Sequence, residues 1–298
     1  MTAHVADAHP GQPGPERARL LVVVAVPAEA EAVLRGLPGG AGEVPLPGGT
    51  LHRCAGAPVD VLAAGVGPAA AAAGASAALA AGSYSRARLR GAPGPAPTVG
   101  GHSATSFVGG SALLPFGTGA PLRLGANAYG LVASAGIAGG FAPHAPVGAT
   151  VLAAAIVAAD LGAETPEGFA DVTELGFGTA RHTPPPAVVA LAERALAART
   201  VHAVTGPVLT VSTVTGSAER AAALAARHPG AAAEAMEGFG VAEAAARFGV
   251  PAFELRTVSN PVGPRDRAAW RIGEALAALE RAFAALPVRE LIEEAGRG

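Results

Sequence analysis

The chain is 298 residues long, half of them apolar, with 15% charged, 4% aromatic and a formal net charge of −2. A core of Ala, Val and Leu at this length suits an α/β protein with close helix–sheet packing. The near-neutral balance gives no reason to expect nucleic acid or an anionic membrane as partner. All 21 basic residues are arginines, which excludes a Schiff-base lysine and a Walker-type phosphate lysine. The single cysteine, Cys54, excludes an internal disulfide and a cysteine-rich zinc site, and the eight histidines form no HExxH-like pair, so no metal site is expected.

Residues 1–19 are polar and rich in Gly and Pro, without the apolar core of a signal peptide. They predict a disordered tail on a cytoplasmic protein, and no later run reads as a membrane span. Residues 20–26 form a continuous β-branched run, predicting a buried strand, and 28–37 follow with helical composition. A second strand is predicted at 59–64. It leads through Gly65 and Gly67 into an Ala-rich helix reaching about Ala81, with Pro68 in the first turn, where its missing N–H costs nothing.

Residues 83–127 break the pattern with Gly, Pro, Ser and Thr, and read as a surface insertion, either a lid or an irregular excursion. A strand resumes at 129–134, followed by a turn at 136–140 and a long strand at 148–159. Then come a helix at 184–199, a strand at 201–213 and a helix opened by Gly216-Ser217 and running to Arg227. Residues 234–248 predict a helix stopped by Gly249 and Pro251, 252–258 a strand, 266–286 the last long helix, and 287–298 a tail. The alternation of strands and helices predicts one three-layer α/β/α domain over residues 20–286.

Four stretches stand out: AVPAEAEAV (25–33), GVGPAAAAAGASAAL (65–79), SAGIAGGFAPHAPVGA (134–149), and the pair AEAMEGFGVAEAA (233–245) with RTVSN (256–260). In this order and spacing they resemble the nucleosidase branch of the purine nucleoside phosphorylase/nucleosidase superfamily, from about Leu20 to about Phe283 apart from the insertion. The likeness is to 5′-methylthioadenosine/S-adenosylhomocysteine nucleosidase and, more closely through SNPVGPRDRAAW (259–270), to futalosine hydrolase. The resemblance implies a central mixed, twisted sheet and hydrolysis of the N-glycosidic bond of futalosine on an alternative menaquinone route. It also implies a small-molecule nucleoside as partner, no metal or organic cofactor, and a homo-oligomer.

Glu29 begins the first helix. By position it reads as a glutamate complementing the helix dipole; by resemblance it activates the attacking water, with Glu31 as the other candidate on a different helix face. Glu237, in an otherwise apolar stretch, reads either as a surface carboxylate, as a partner of Arg256, or, by resemblance, as the acceptor of both ribose hydroxyls. Met236 would then pack on the sugar. Ile137, Ala138 and Gly139 match a loop lining the base and sugar, and Val214 matches a position whose backbone contacts the base; an ordinary tight turn explains either equally.

Asn260 reads alone as a turn residue of Ser-Asn-Pro. By resemblance it lies where adenosine-type nucleosidases place an aspartic acid. An amide presents a donor beside an acceptor and suits a 6-oxopurine, with the NH₂ donating to O6 and the carbonyl accepting from a protonated N7. Arg265 is the candidate partner of the substrate's 5′ carboxylate, with Arg267 behind it; a surface arginine or a contact with Asp266 is the alternative.

Three rival functions remain. A phosphorylase needs an anion-binding first turn, where this chain has Pro27-Ala28-Glu29. An adenosine-type nucleosidase is disfavoured by Asn260. A non-catalytic nucleoside-binding protein would keep Glu237 without needing Glu29.

Overall fold

The computed structural model describes residues 18–46, 49–89 and 128–297, with side chains of 84–89 left aside. The tail predicted at 1–19 and the insertion predicted at 83–127 therefore fall mostly outside the described residues. In chain order, β1 (Arg19–Val24) is followed by α1 (Pro27–Arg35), the strands β2 (Ala41–Leu46), β3 (Gly49–Cys54) and β4 (Val59–Ala63), and α2 (Pro68–Leu89). After the break come β5 (Tyr129–Gly140), β6 (Thr150–Ala158), β7 (Gly162–Thr165), β8 (Gly168–Asp171), β9 (Arg181–His182), α3 (Pro186–Ala198) and β10 (Ala203–Thr210). The chain closes with α4 (Ala218–Arg227), β11 (Ala233–Ala235), α5 (Gly238–Arg247), β12 (Ala252–Pro261), α6 (Ile272–Ala285) and α7 (Val288–Ala295).

The β-branched run 20–24 becomes the buried middle of the sheet. β1 lies between β4 and β5, parallel to both. β5 is parallel to β12, β12 antiparallel to β6, and β6 parallel to β10, so the sheet is mixed. β11 extends β10 in parallel and turns back to pair antiparallel with the far end of β5. The β2–β3 hairpin continues the other edge.

Alternation along β1 sends successive side chains to opposite faces. Leu20, Val22 and Val24 pack with Val33 of α1, Leu196 of α3, Phe283 of α6 and Leu291 of α7. Leu21 and Val23 pack with Ala75 and Leu79 of α2 and Val241 and Ala244 of α5. Helices thus cover both faces, and the predicted three-layer α/β/α arrangement is the one found.

Several boundaries differ from the sequence reading. α2 continues to Leu89, past the predicted end near Ala81. Residues 136–140 are not a turn but the second half of β5; their glycines let neighbouring groups approach the strand, as at Gly139, where a Cβ would stand 3.0 Å from Val262. Residues 234–248 are not one helix: β11 occupies 233–235 and α5 begins only at Gly238. β12 runs on through Asn260, which is therefore a strand residue rather than a turn residue. The predicted long helix at 266–286 is a short 3₁₀ turn at Arg267–Ala269 followed by α6. The predicted C-terminal tail contains α7, whose Leu291 and Ile292 are buried in the core. The hairpins β2–β3 and β7–β8 lie in Gly- and Pro-rich stretches with little apolar alternation to announce them.

Candidate active site

The parallel strands β1, β5 and β12 end on the same side of the sheet, the side on which open α/β sheets bind ligands. A cavity of about 550 Å³ lies there, within the usual size range for a small-molecule site. Glu29, Ile137, Ala138, Gly139, Val214, Met236, Glu237, Asn260 and Arg265 all line it; Glu31 is mostly exposed and pairs with Arg35 across one helix turn.

Glu29 stands at the third position of α1 and turns back over the strand end. Its Oε2 accepts from the N–H groups of Ala25 (2.9 Å) and Val26 (3.2 Å), and its Oε1 from that of Ile137 (2.9 Å). The carboxylate thus both caps the helix and ties β1 to β5. Only glycine at 136 allows this approach: its φ is +149°, and a Cβ there would lie 2.5 Å from Glu29 Oε1. Burial raises the Glu29 pKa above the ordinary carboxylate value; the Ile137 N–H and the charge of Arg256 oppose this, and the charge of Glu237 adds to it. A buried carboxylate with a raised pKa and a spare lone pair is suited to take a proton from water.

Glu237 is not on a helix face but occupies the N-cap position of α5, where its side chain makes no capping bond and is left to the site. Its Oε1 accepts from Gly67 N–H at 3.2 Å, in the turn between β4 and α2. Its Oε2 accepts from Arg256 Nη1 at 3.2 Å and from Met236 N–H at 3.3 Å. The pairing of Glu237 with Arg256, one of three readings open from the sequence, is therefore present. These donors leave one of the roughly four acceptor positions of a carboxylate for a ligand hydroxyl.

Arg256, fully buried, gathers the site. Besides Glu237 it reaches Glu254 Oε1 through Nε (2.9 Å) and Ser134 Oγ through Nη2 (2.9 Å). Burial opposes its charge, but Glu254, Glu237 and Glu29 outweigh burial and raise its pKa. The same burial pushes Glu254 up to about 7, against the pull of Arg256. Glu254 Oε2 has no hydrogen-bond partner and lies against the backbone of Gly238.

The bulge in β12 aims Asn260. Val258 pairs with Ala138 and Asn260 with Gly139, so Ser259 is an extra residue between them; such insertions re-aim side chains beside active sites. Ser259 Oγ donates to Asn260 Oδ1 at 2.8 Å, and Asn260 Nδ2 donates to Pro261 O at 3.0 Å. The amide is thereby oriented, with one Nδ2 hydrogen and one Oδ1 lone pair to spare.

At the mouth, the guanidinium groups of Arg265 and Arg267 lie 5.5 and 5.9 Å from the ring centroid of Trp270. Asp266 accepts from Ala268 N–H, so the Arg265–Asp266 contact weighed from the sequence is replaced by a cap of the 3₁₀ turn. Val214 is part of the rim, beside Thr215.

The sequence reading named Arg256 only as a partner for Glu237 and passed over Ser134, Glu254, Glu234, Thr215 and Trp270. A signal existed for two of them. Glu254 and Arg256 are two apart in the apolar strand AFELRTV and so share a face, and a charged pair on a buried strand is costly without a purpose. Among the described residues no cluster of three or more His, Cys, Asp or Glu side chains has metal-holding geometry, and no helix is long and apolar enough to cross a membrane.

The chain matches the model of the Phosphorylase superfamily over residues 19–293. It is 55% identical over 272 residues to futalosine hydrolase of Streptomyces coelicolor, covering 91% of this chain and 96% of that protein. It is 42% identical over 266 residues to futalosine hydrolase of Acidothermus cellulolyticus, covering 89% of each. Among solved structures, 5′-methylthioadenosine/S-adenosylhomocysteine nucleosidase of Neisseria meningitidis in complex with methylthio-immucillin-A superposes with a TM-score of 0.63, at 18% identity over 90% of this chain and 97% of that one. By these likenesses the chain belongs to the Phosphorylase superfamily and, within it, to the futalosine hydrolases.

Proposed function

We propose that the protein hydrolyses the N-glycosidic bond of futalosine, releasing hypoxanthine and dehypoxanthine futalosine as a step towards menaquinone. The observation that carries this reading is the gathering of three groups on one cavity: Glu29, Glu237 held by Arg256, and the oriented amide of Asn260. Water held by Glu29 attacks the anomeric carbon and gives its proton to the carboxylate. The bond from that carbon to the base breaks, and its electron pair leaves with the purine. Asn260 Nδ2 donates to O6, where the charge collects, and Oδ1 accepts from N7–H once solvent has protonated it. Glu237 accepts from a ribose hydroxyl, and that bond strengthens as the sugar becomes oxocarbenium-like. Arg256 holds Glu237 in place through Nη1, and its charge opposes the rise that burial causes in the Glu29 pKa.

Arg265 and Arg267, over Trp270 at the mouth, suit the carboxylate of the substrate's 5′ extension. The family's tendency to form homo-oligomers fits the exposed apolar rim of Val26, Val66 and Val214; sedimentation of the purified chain tests it. The substrate panel tests the reaction itself: futalosine, its 6-amino analogue, inosine and methylthioadenosine, each with and without phosphate. Hypoxanthine is expected from futalosine at a rate indifferent to phosphate. Phosphate-dependent release would make the protein a phosphorylase, and binding without release would make it a nucleoside-binding protein.

A further inference from the structure

Glu234 has no part in the reaction described above, yet it is a carboxylate only 5% exposed on the wall of the same cavity. It lies in β11 opposite Gly139 of β5, and on the other side of β5 the same Gly139 pairs with Asn260. Neighbouring strands lie about 4.8 Å apart, so Glu234 and Asn260 flank one glycine across about 10 Å of sheet. At Gly139 a Cβ would stand 3.0 Å from Val262 Cγ2 and 3.5 Å from Asn260 Nδ2, so the glycine lets both side chains close over the strand, and all of these residues line the cavity.

The carboxylate is fixed by two neutral donors from one residue. Thr215 N–H donates to Oε1 at 2.9 Å and the Thr215 hydroxyl to Oε2 at 2.5 Å. Burial raises the Glu234 pKa and the Thr215 bonds oppose it. Each oxygen keeps a further lone pair, and a buried acceptor on a cavity wall costs free energy until a donor meets it. A flat base held in the cavity that these residues line meets an amide on one side and this acceptor on the other.

We propose that Glu234 is a second base-reading residue, accepting the N1–H of a 6-oxopurine whose O6 and N7 face Asn260, with Thr215 as its positioning residue. The proposal rests on the 6-oxopurine reading of the site. A 6-oxopurine carries a proton on N1, whereas a 6-aminopurine presents a lone pair there, which a carboxylate repels. Asn260 and Glu234 thus select the same base from two sides, one through O6 and the other through N1–H.

Calorimetric titration of the full chain with hypoxanthine, 1-methylhypoxanthine and adenine tests this without depending on turnover. The wild type is expected to hold hypoxanthine about ten- to a hundredfold more tightly than the 1-methyl base, the range of a charge-assisted hydrogen bond. In Glu234→Ala, which removes the acceptor and opens room for the methyl group, that preference is expected to disappear. Equal binding of the two bases by the wild type, or an undiminished preference in Glu234→Ala, overturns the assignment. The wild-type comparison decides even if the variant does not fold, and Thr215→Val, which removes one positioning bond, is expected to reduce the preference. A wild type that favours hypoxanthine over adenine but ignores N1 methylation refutes Glu234 alone; one that binds adenine as well as hypoxanthine refutes the 6-oxopurine reading beneath it.

Discussion

Two side chains divide the chemistry at the residue scale, and each can be altered separately. Glu29→Gln keeps the shape but loses the base, and kcat/KM is expected to fall by about 10²–10⁴-fold. The amide has only one acceptor end, so either Ile137 N–H or the Ala25 and Val26 N–H groups lose a partner, at a cost of about 1–3 kcal/mol of stability. Measuring turnover beside thermal unfolding separates the two effects, and an unimpaired mutant removes Glu29 from the role of base. Because burial raises the Glu29 pKa, the ionised base is lost as pH falls through a value above 4.5, and the acid limb of kcat/KM is expected there; a limb at or below 4.5 contradicts this. Asn260→Asp puts an ionisable oxygen where Nδ2 faces O6. Its expected result is weaker use of futalosine and gain of the 6-amino analogue, read as the ratio of the two kcat/KM values; an unchanged ratio contradicts the amide argument.

Elements were legible from the sequence where their pattern was long and misread where it was short. β1 and α2 announce themselves by a β-branched run and by an Ala-rich stretch opened at Pro68. β11 has three residues, too few to display a period, so its apolar neighbours drew it into the helix that follows. The bulge at Ser259 depends on pairing with β5, which no local pattern encodes, and Ser-Asn-Pro is as good a turn as a strand end. Glu29, Glu237 and Asn260 were nameable because motif order carries them, whereas Glu234 becomes visible only when two strands meet over Gly139. α7 is the element most at odds with expectation. Leu291 is 1% exposed and packs with the α1–α6 face of the core, so Leu291→Ala is expected to cost about 2–5 kcal/mol in a urea titration. A loss below about 0.5 kcal/mol, ordinary for surface positions, would show that the helix does not dock.

For the whole molecule, the site is a concentration of like charge inside the fold. Glu29, Glu237 and Glu254 surround one guanidinium, so the folded state holds more carboxylate than Arg256 can neutralise. Glu254 carries the cost of burial most visibly: desolvation pushes its pKa from 4.5 to about 7 against the pull of Arg256, with the charge of Glu237 a smaller addition. A carboxyl whose pKa is higher folded than unfolded binds its proton more tightly in the native state. Its contribution to stability is therefore full below pH 4.5 and is lost as pH rises through 7. A displacement of that size corresponds to about 3 kcal/mol. Other carboxylates titrate over the same range, so the wild-type curve alone does not isolate the effect. Glu254→Gln does, because the amide is neutral at every pH and retains an acceptor for Arg256 Nε. Wild type is expected to lose stability relative to Glu254→Gln by about 3 kcal/mol between pH 5 and 8, measured as the difference between their denaturant unfolding free energies. Parallel curves across that window would mean that Glu254 titrates alike in the folded and unfolded chains, and that burial beside Arg256 does not make it hold its proton.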